Sequence, residues 1–285
     1  MAGKVRTMKK MLVSIDVDLA SSIALRYACQ LADLIGAELE TIHIEEPDKK
    51  GYTPGSGWVR QTWEKALLET GQNEVNRLIS AEKTSCPVLP PPKMFVGDRE
   101  EEILRELQRG SYDLFVEGEL RTFSAANFHK KINSRLYRYA PCPFVLVRNL
   151  VGLERLLILL HEGVDVGRLI PRFSKIFKGV SAEIDLAYSE FHKSREPSPS
   201  KEEEDGLSLP STEAERDLDT AEKMLADLGW TPRQGRVLRD PAKKLGDFLK
   251  DYGLVVSSIH PEVNRKGDLL QLLSRCPSPI LSFWQ

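Results

Sequence analysis

Three groups of residues in this chain have types and spacings that could do chemistry. Asp16 ends the apolar run KKMLVSID (9–16), where an acid can recognise a bound group or cap the turn that follows. His129, Lys130 and Lys131 form a cationic cluster near the expected start of a helix, a composition that suits an anion although cations there oppose the helix dipole. Cys142 lies between Pro141 and Pro143. A reactive thiol needs an accessible, electropositive setting, and a place at the entry to a central strand argues for burial instead. Several other patterns fail on context. The G-x-G of PGSGW (54–58) sits in a polar loop and lacks the third glycine of a dinucleotide fingerprint, and neither a Walker A loop nor a G-x-S-x-G elbow occurs. His161 has no acid or serine at catalytic spacing, and the five histidines never fall at metal-ligand spacing. No catalytic residue and no metal site is expected.

Composition narrows the class. The chain has 285 residues, 41% apolar and 29% charged, enough for two cores in two domains of roughly 140 residues each. A net charge of −2 gives no basic field for nucleic acid or an anionic membrane surface. The basic N-terminal stretch is broken by Asp16 and Asp18, so it does not read as a signal peptide, and no segment has the apolar length of a membrane span. These features place the chain in the cytoplasm. Cys29, Cys86, Cys142 and Cys276 are scattered without a C-x-x-C pair, which suggests reduced thiols and no disulfide framework.

The elements that must position these residues recur in order. KKMLVSID is a strand, followed by a helix whose apolar positions (Ile23, Ala24, Tyr27, Ala28, Leu31, Ile35) repeat at helical spacing up to Gly36. Strands over 39–47, 92–98, 112–118 and 143–149 then alternate with helices over 61–82, 99–107 and 126–139. Such alternation implies a parallel sheet covered on both faces. The second half repeats the plan: ERLLILLHE (154–162) takes the place of KKMLVSID, a helix over 166–179 is interrupted by Pro171, and Arg239-Asp240 stands where Gly97-Asp98 stood. SRCPSPILSF (274–283) closes the chain as RYAPCPFVLV (138–147) closes the first half. An internal duplication follows, with domains at 1–150 and 151–285. The stretch 191–211, rich in Ser, Pro and charge, is expected to be a mobile insertion in the second.

KKMLVSID with ALRYACQLADLIGAELETIHI, VGDREEEIL, YDLFVEG and the APCPFVLV ending resembles the universal stress protein family in its tandem form, over nearly the whole chain. The resemblance implies two doubly wound, five-stranded, Rossmann-like domains of the adenine nucleotide alpha-hydrolase type. It also implies a fifth-strand contact that the two halves satisfy within one chain as a pseudo-dimer; further homodimerisation is left open. Members that bind ATP carry Gly, two residues, Gly, nine residues, Gly, then Ser or Thr, so that backbone amides can cradle phosphates. Counted from YDLFVEG, Gly118 takes the first place, but Arg121 and Lys131 take the others; counted from APCP, the places fall on Glu117, Leu120 and Lys130. Asp16 matches the family acid that contacts the nucleoside, Ile44 the residue lining the adenine site, and Gly97 lies where backbone approaches the nucleotide, whereas His161 replaces the acid in the second half. The expectation is a non-enzymatic stress-response binding protein with unidentified protein partners and no cofactor. One alternative is an ATP- or adenosine-binding first domain using Asp16, Ile44, Gly97, Gly118, Lys130 and Lys131; another is a scaffold acting through 191–211.

Overall fold

The computed structural model describes residues 8–47, 56–86, 89–120, 124–190, 212–239, 242–260 and 268–285. The 191–211 stretch, most of the polar loop that holds PGSGW, Arg121 and Asp240 lie outside the described residues. The strands are β1 (Lys9–Ser14), β2 (Ala37–Glu45), β3 (Lys93–Val96), β4 (Leu114–Gly118), β5 (Phe144–Val147), β6 (Arg155–His161), β7 (Glu183–Ser189), β8 (Gly235–Leu238), β9 (Leu254–Val256) and β10 (Ile280–Ser282). They form one sheet in the order β3-β2-β1-β4-β5-β10-β9-β6-β7-β8. Every pairing within a half is parallel. The pair that joins the halves is antiparallel, with Val145 opposite Leu281. In each half the strand order reverses once, between β1 and β4 and between β6 and β9, which opens a crevice at the carboxyl ends of those strands.

Short apolar strands such as Phe144–Val147 are buried on both sides because helices cover both faces. The first-half helices are α1 (Leu19–Ile35), α2 (Trp58–Ala81), α3 (Arg99–Gly110), α4 (Ala125–Ile132) and α5 (Arg135–Tyr139). The second half supplies α6 (Val166–Phe177), α7 (Thr212–Asp227), α8 (Ala242–Leu249) and α9 (Asp268–Arg275). One core spans α1, α6 and α7 over both halves; the other lies beneath α3, α5, α8 and α9 on the opposite face. Asp18, Asp98 and Asp165 cap α1, α3 and α6, each accepting from an amide of the first turn. Gly36, at φ +64°, ends α1 in the left-handed conformation that favours glycine.

Four expectations need correction. The helix expected over 126–139 is two helices, because the chain breaks at Asn133-Ser134, where Asn133 Nδ2 donates to the His129 carbonyl. His129, Lys130 and Lys131 consequently occupy the last turn of α4 and not the start of a helix, so the dipole favours them. Pro171 does not interrupt α6: the exposed proline removes one backbone donor while Leu169, Ile170, Phe173 and Phe177 anchor the helix in the core. Finally, Cys29 and Cys86 form a disulfide, with Cα atoms 5.7 Å apart. Cys29 lies on α1 and Cys86 just beyond α2, and a sequence separation of 57 hides a proximity that only the tertiary fold creates. Glu82 reinforces the same contact, accepting from Ser22 Oγ at 2.6 Å and from Arg26.

Candidate functional site

The crevice of the first half is lined by residues that strands β1, β2 and β4 and helices α3, α4 and α5 bring together. Glu117 is an acid in the otherwise apolar run Leu114–Gly118, and its side chain is buried at the end of β4. Arg99 opens α3, where a cation opposes the helix dipole, and its guanidinium reaches back over the sheet. Arg99 Nη2 donates to Ser14 Oγ at 2.8 Å and lies 3.0 Å from Glu117 Oε1, while Nε lies 3.4 Å from Asp16 Oδ2. Lys131 arrives from α4 and pairs with Glu117 at 3.2 Å and Glu119 at 2.5 Å. Tyr137, on α5, donates its hydroxyl to Glu117 Oε2.

The contacts continue outward from Asp16. His43 lies beside it, with Nδ1 3.6 Å from Asp16 Oδ1 and 2.7 Å from the Ile15 carbonyl oxygen, and Nε2 3.0 Å from Glu45 Oε1. Gly71 of α2 makes room for Glu45: a Cβ there would stand 1.9 Å from Glu45 Oε1. This explains a glycine inside a helix, where it otherwise weakens the structure.

The electrostatics follow from this geometry. Burial pushes the Glu117 pKa up, but Arg99 and Lys131, with the Tyr137 hydroxyl, outweigh it and hold the carboxyl at about 2. Burial opposes the charge on Arg99, yet Glu117 and Asp16 raise its pKa above the usual guanidinium value. Burial drives the Tyr137 hydroxyl well above 10, and the Glu117 charge adds to the rise, so it stays a donor. The result is a set of charges in which Asp16, Glu117 and Glu119 each pair with Arg99 or Lys131.

The structure assigns different places to the residues singled out in the sequence. Asp16 belongs to this network and does not cap the helix, a role taken by Asp18. Lys131 belongs to it as well, and Lys130 lies on the rim of an adjoining cavity of about 370 Å3. Gly118 faces the backbone of α1: a Cβ there would meet the Ala20 carbonyl oxygen at 2.2 Å. Gly97 donates its N–H to the Glu45 carbonyl, and Ile44 is buried in the core that includes Leu12 and Phe115. Sequence reasoning did not single out His43, Glu45, Arg99, Glu119 or Tyr137. Two signals were present: an arginine at the first position of a helix, and an acid inside a buried strand.

Among the described residues, the crevice of the second half holds no comparable network; the buried Asp185, which pairs with Arg155 at 3.1 Å and accepts from the Tyr252 hydroxyl at 3.0 Å, lies on β7 away from the end of β6. His161 ends β6 fully buried, between the carbonyl oxygens of Ser258 and Glu162, both at 2.9 Å. Burial lowers its pKa. Arg239 pairs with Glu190 at 2.9 Å. Cys142 and Cys276 are buried free thiols, each pushed up to about 12 by burial. Among the described residues, no group of three or more His, Cys, Asp or Glu could hold a metal ion, and no helix is long and apolar enough to cross a membrane.

The fold is similar to those of several solved structures. A universal stress protein from Archaeoglobus fulgidus superposes with a TM-score of 0.62 at 15% identity, covering 97% of this chain and 96% of its own. A chain from Pseudomonas aeruginosa, also placed among the universal stress proteins, gives 0.57 at 15% identity, with coverage of 98% and 94%. A functionally unknown protein from the same species gives 0.59 at 14% identity, with coverage of 98% and 93%. No family model and no curated protein matches the sequence. The chain thus has the universal stress protein fold over nearly its whole length, an α/β architecture of mostly parallel strands.

Proposed function

We propose that this chain acts as a tandem universal stress protein of the non-enzymatic kind, a regulatory binding module whose first crevice has given up nucleotide phosphates for an internal ion network. The observation that carries this reading is the buried Glu117 carboxylate, engaged by Arg99, Lys131 and Tyr137. A triphosphate entering the crevice would face the charges of Glu117 and Glu119, and would have to compete for cations already paired. Gly118 offers it no cradle either, since the space beside that residue is filled by the Ala20 carbonyl. The antiparallel β5–β10 pair supports reading the two halves as a pseudo-dimer within one chain.

Native mass spectrometry of freshly purified protein, followed by calorimetric titration with ATP, tests the proposal. The expected result is a chain free of adenine nucleotide and no binding of ATP up to millimolar concentration. A co-purifying adenine nucleotide, or saturable ATP binding, overturns it.

A further inference from the structure

The seam between the halves has two corners that the duplicated sequence makes equivalent. Tyr112-Asp113-Leu114 matches Tyr252-Gly253-Leu254, and Pro141-Cys142-Pro143 matches Pro277-Ser278-Pro279. The corner at Gly253 is closed. Tyr27, fully buried, donates its hydroxyl to the Gly253 carbonyl at 2.8 Å, and Ser278 Oγ donates to the Leu249 carbonyl at 2.7 Å. The corner at Asp113 is open, and a cavity of about 300 Å3 there is bordered by Lys9, Asp113, Cys142, Arg172, Lys175 and Lys178.

Most of these charges already have work. Lys9 Nζ donates to the carbonyl oxygens of Ile35 at 3.0 Å and Ile176 at 2.5 Å, at the ends of α1 and α6. Asp113 accepts from the Lys10 amide at 3.1 Å and faces Lys175 at 3.5 Å. Lys178, which is exposed, has no hydrogen bond or ion pair among the described residues, and neither has Arg172. The Arg172 guanidinium, however, is half-buried and lies 4.5 Å above the ring of the buried Phe283. Burial lowers its pKa, so the surroundings do not repay the solvation that the charge has lost. A guanidinium held over an aromatic ring still presents its planar fork of donors, the geometry that grips a phosphate or carboxylate in two-point fashion.

We propose that this corner binds a phosphate group, either as the free ion or carried by a small organic molecule, with Arg172 as the gripping fork and Lys175 and Lys178 completing the positive field. Lys175 and Lys178 also border a neighbouring groove of about 590 Å3 that includes Pro171, Val180, Leu228 and Trp230, where the apolar body of an organic phosphate can lie. The corner shares no lining residue with the cavity beside Glu117, so the two sites stand or fall separately.

Calorimetric titration of the full chain at low ionic strength with inorganic phosphate and with phenyl phosphate tests the site. Saturable binding of at least one probe is expected. Arg172→Met, which keeps an apolar stem over Phe283, should weaken it at least tenfold. Lys178→Gln, at an exposed position, should weaken it about threefold without touching the core. Lys65→Gln, at an exposed position on α2, should leave it unchanged, and thermal melts confirm that each variant is folded. Tighter binding of phenyl phosphate identifies an organic phosphate as the ligand, and equal binding identifies the free ion. The proposal is overturned if the wild-type chain binds neither probe, or if Arg172→Met and Lys178→Gln both bind as the wild type does.

Discussion

Replacing Glu117 by Gln keeps the shape of the β4 end and removes the anion at the centre of the crevice. The residue is 6% exposed, and its carboxyl is held at about 2 against an ordinary 4.5. The gap between those values is worth about 3 kcal/mol, at about 1.4 kcal/mol per pKa unit. Because the folded value lies below the unfolded one, this stability is complete above the ordinary carboxyl pKa and drains away as pH falls toward the folded value. Glu117→Gln should therefore cost about 3 kcal/mol at pH 7, the low end for removing one partner of a buried pair. The cost stays at that end because Arg99 keeps Asp16 and Lys131 keeps Glu119. Denaturant unfolding of both proteins at neutral pH, near the ordinary carboxyl pKa and near the folded value gives the comparison. The difference should be full at the first condition and close to zero at the last. A cost below about 1 kcal/mol at neutral pH, or a difference that does not change with pH, refutes the account of the network.

Other parts of the molecule carry their own expectations. Reducing the Cys29–Cys86 bridge, which closes a loop of 57 residues, should lower stability by about 4 kcal/mol on the chain-entropy account. Alkylation of the unreduced, unfolded chain should modify only Cys142 and Cys276. Arg148 donates one nitrogen to the carbonyls of Leu273, Ser274 and Cys276 at 2.8 to 2.9 Å, so Arg148→Met should cost about 2–3 kcal/mol. Hydrogen exchange should show that loss first in α9. Gly118→Ala should cost about 3 kcal/mol, because the added methyl meets the backbone of Ala20, and a shift in melting temperature under 2 °C would contradict that contact. His161 is buried with a lowered pKa, so the unfolded chain takes up its proton first as pH falls. Stability should drop from neutral pH downward through the ordinary histidine range, and less steeply in His161→Gln.

Much of the fold was legible because its signals are local. The apolar runs, the alternation of strand and helix, and the two proline-flanked junctions each lie within a few residues of sequence. The site was legible only in part, because its members come from separate elements. Arg99 and Glu117 are drawn together by the adjacency of β1 and β4 and by the seat of α3, none of which a motif records. Asp16 and Lys131 were found through their places in a family pattern, although here Asp16 pairs with Arg99, and Lys131 with Glu117 and Glu119, rather than with a phosphate cradle. The break at Asn133 escaped notice because one side chain turning back on a carbonyl leaves no periodic trace. The Cys29–Cys86 pair escaped because the absence of local pairing was read as the absence of pairing.

The antiparallel meeting of β5 and β10 has a consequence for how such a chain can change. In an assembly of two identical copies, every substitution at the shared strand appears twice, and a useful change on one side must be tolerable on the other. Joining the copies in one polypeptide removes that constraint. One side could keep Tyr27 sealed against Gly253 while the other acquired an unpaired arginine, without either choice being imposed on its counterpart. Linkage of this kind turns a symmetric surface into two independent experiments, and among the described strands β3 and β8 are left as the outer edges where another strand could add.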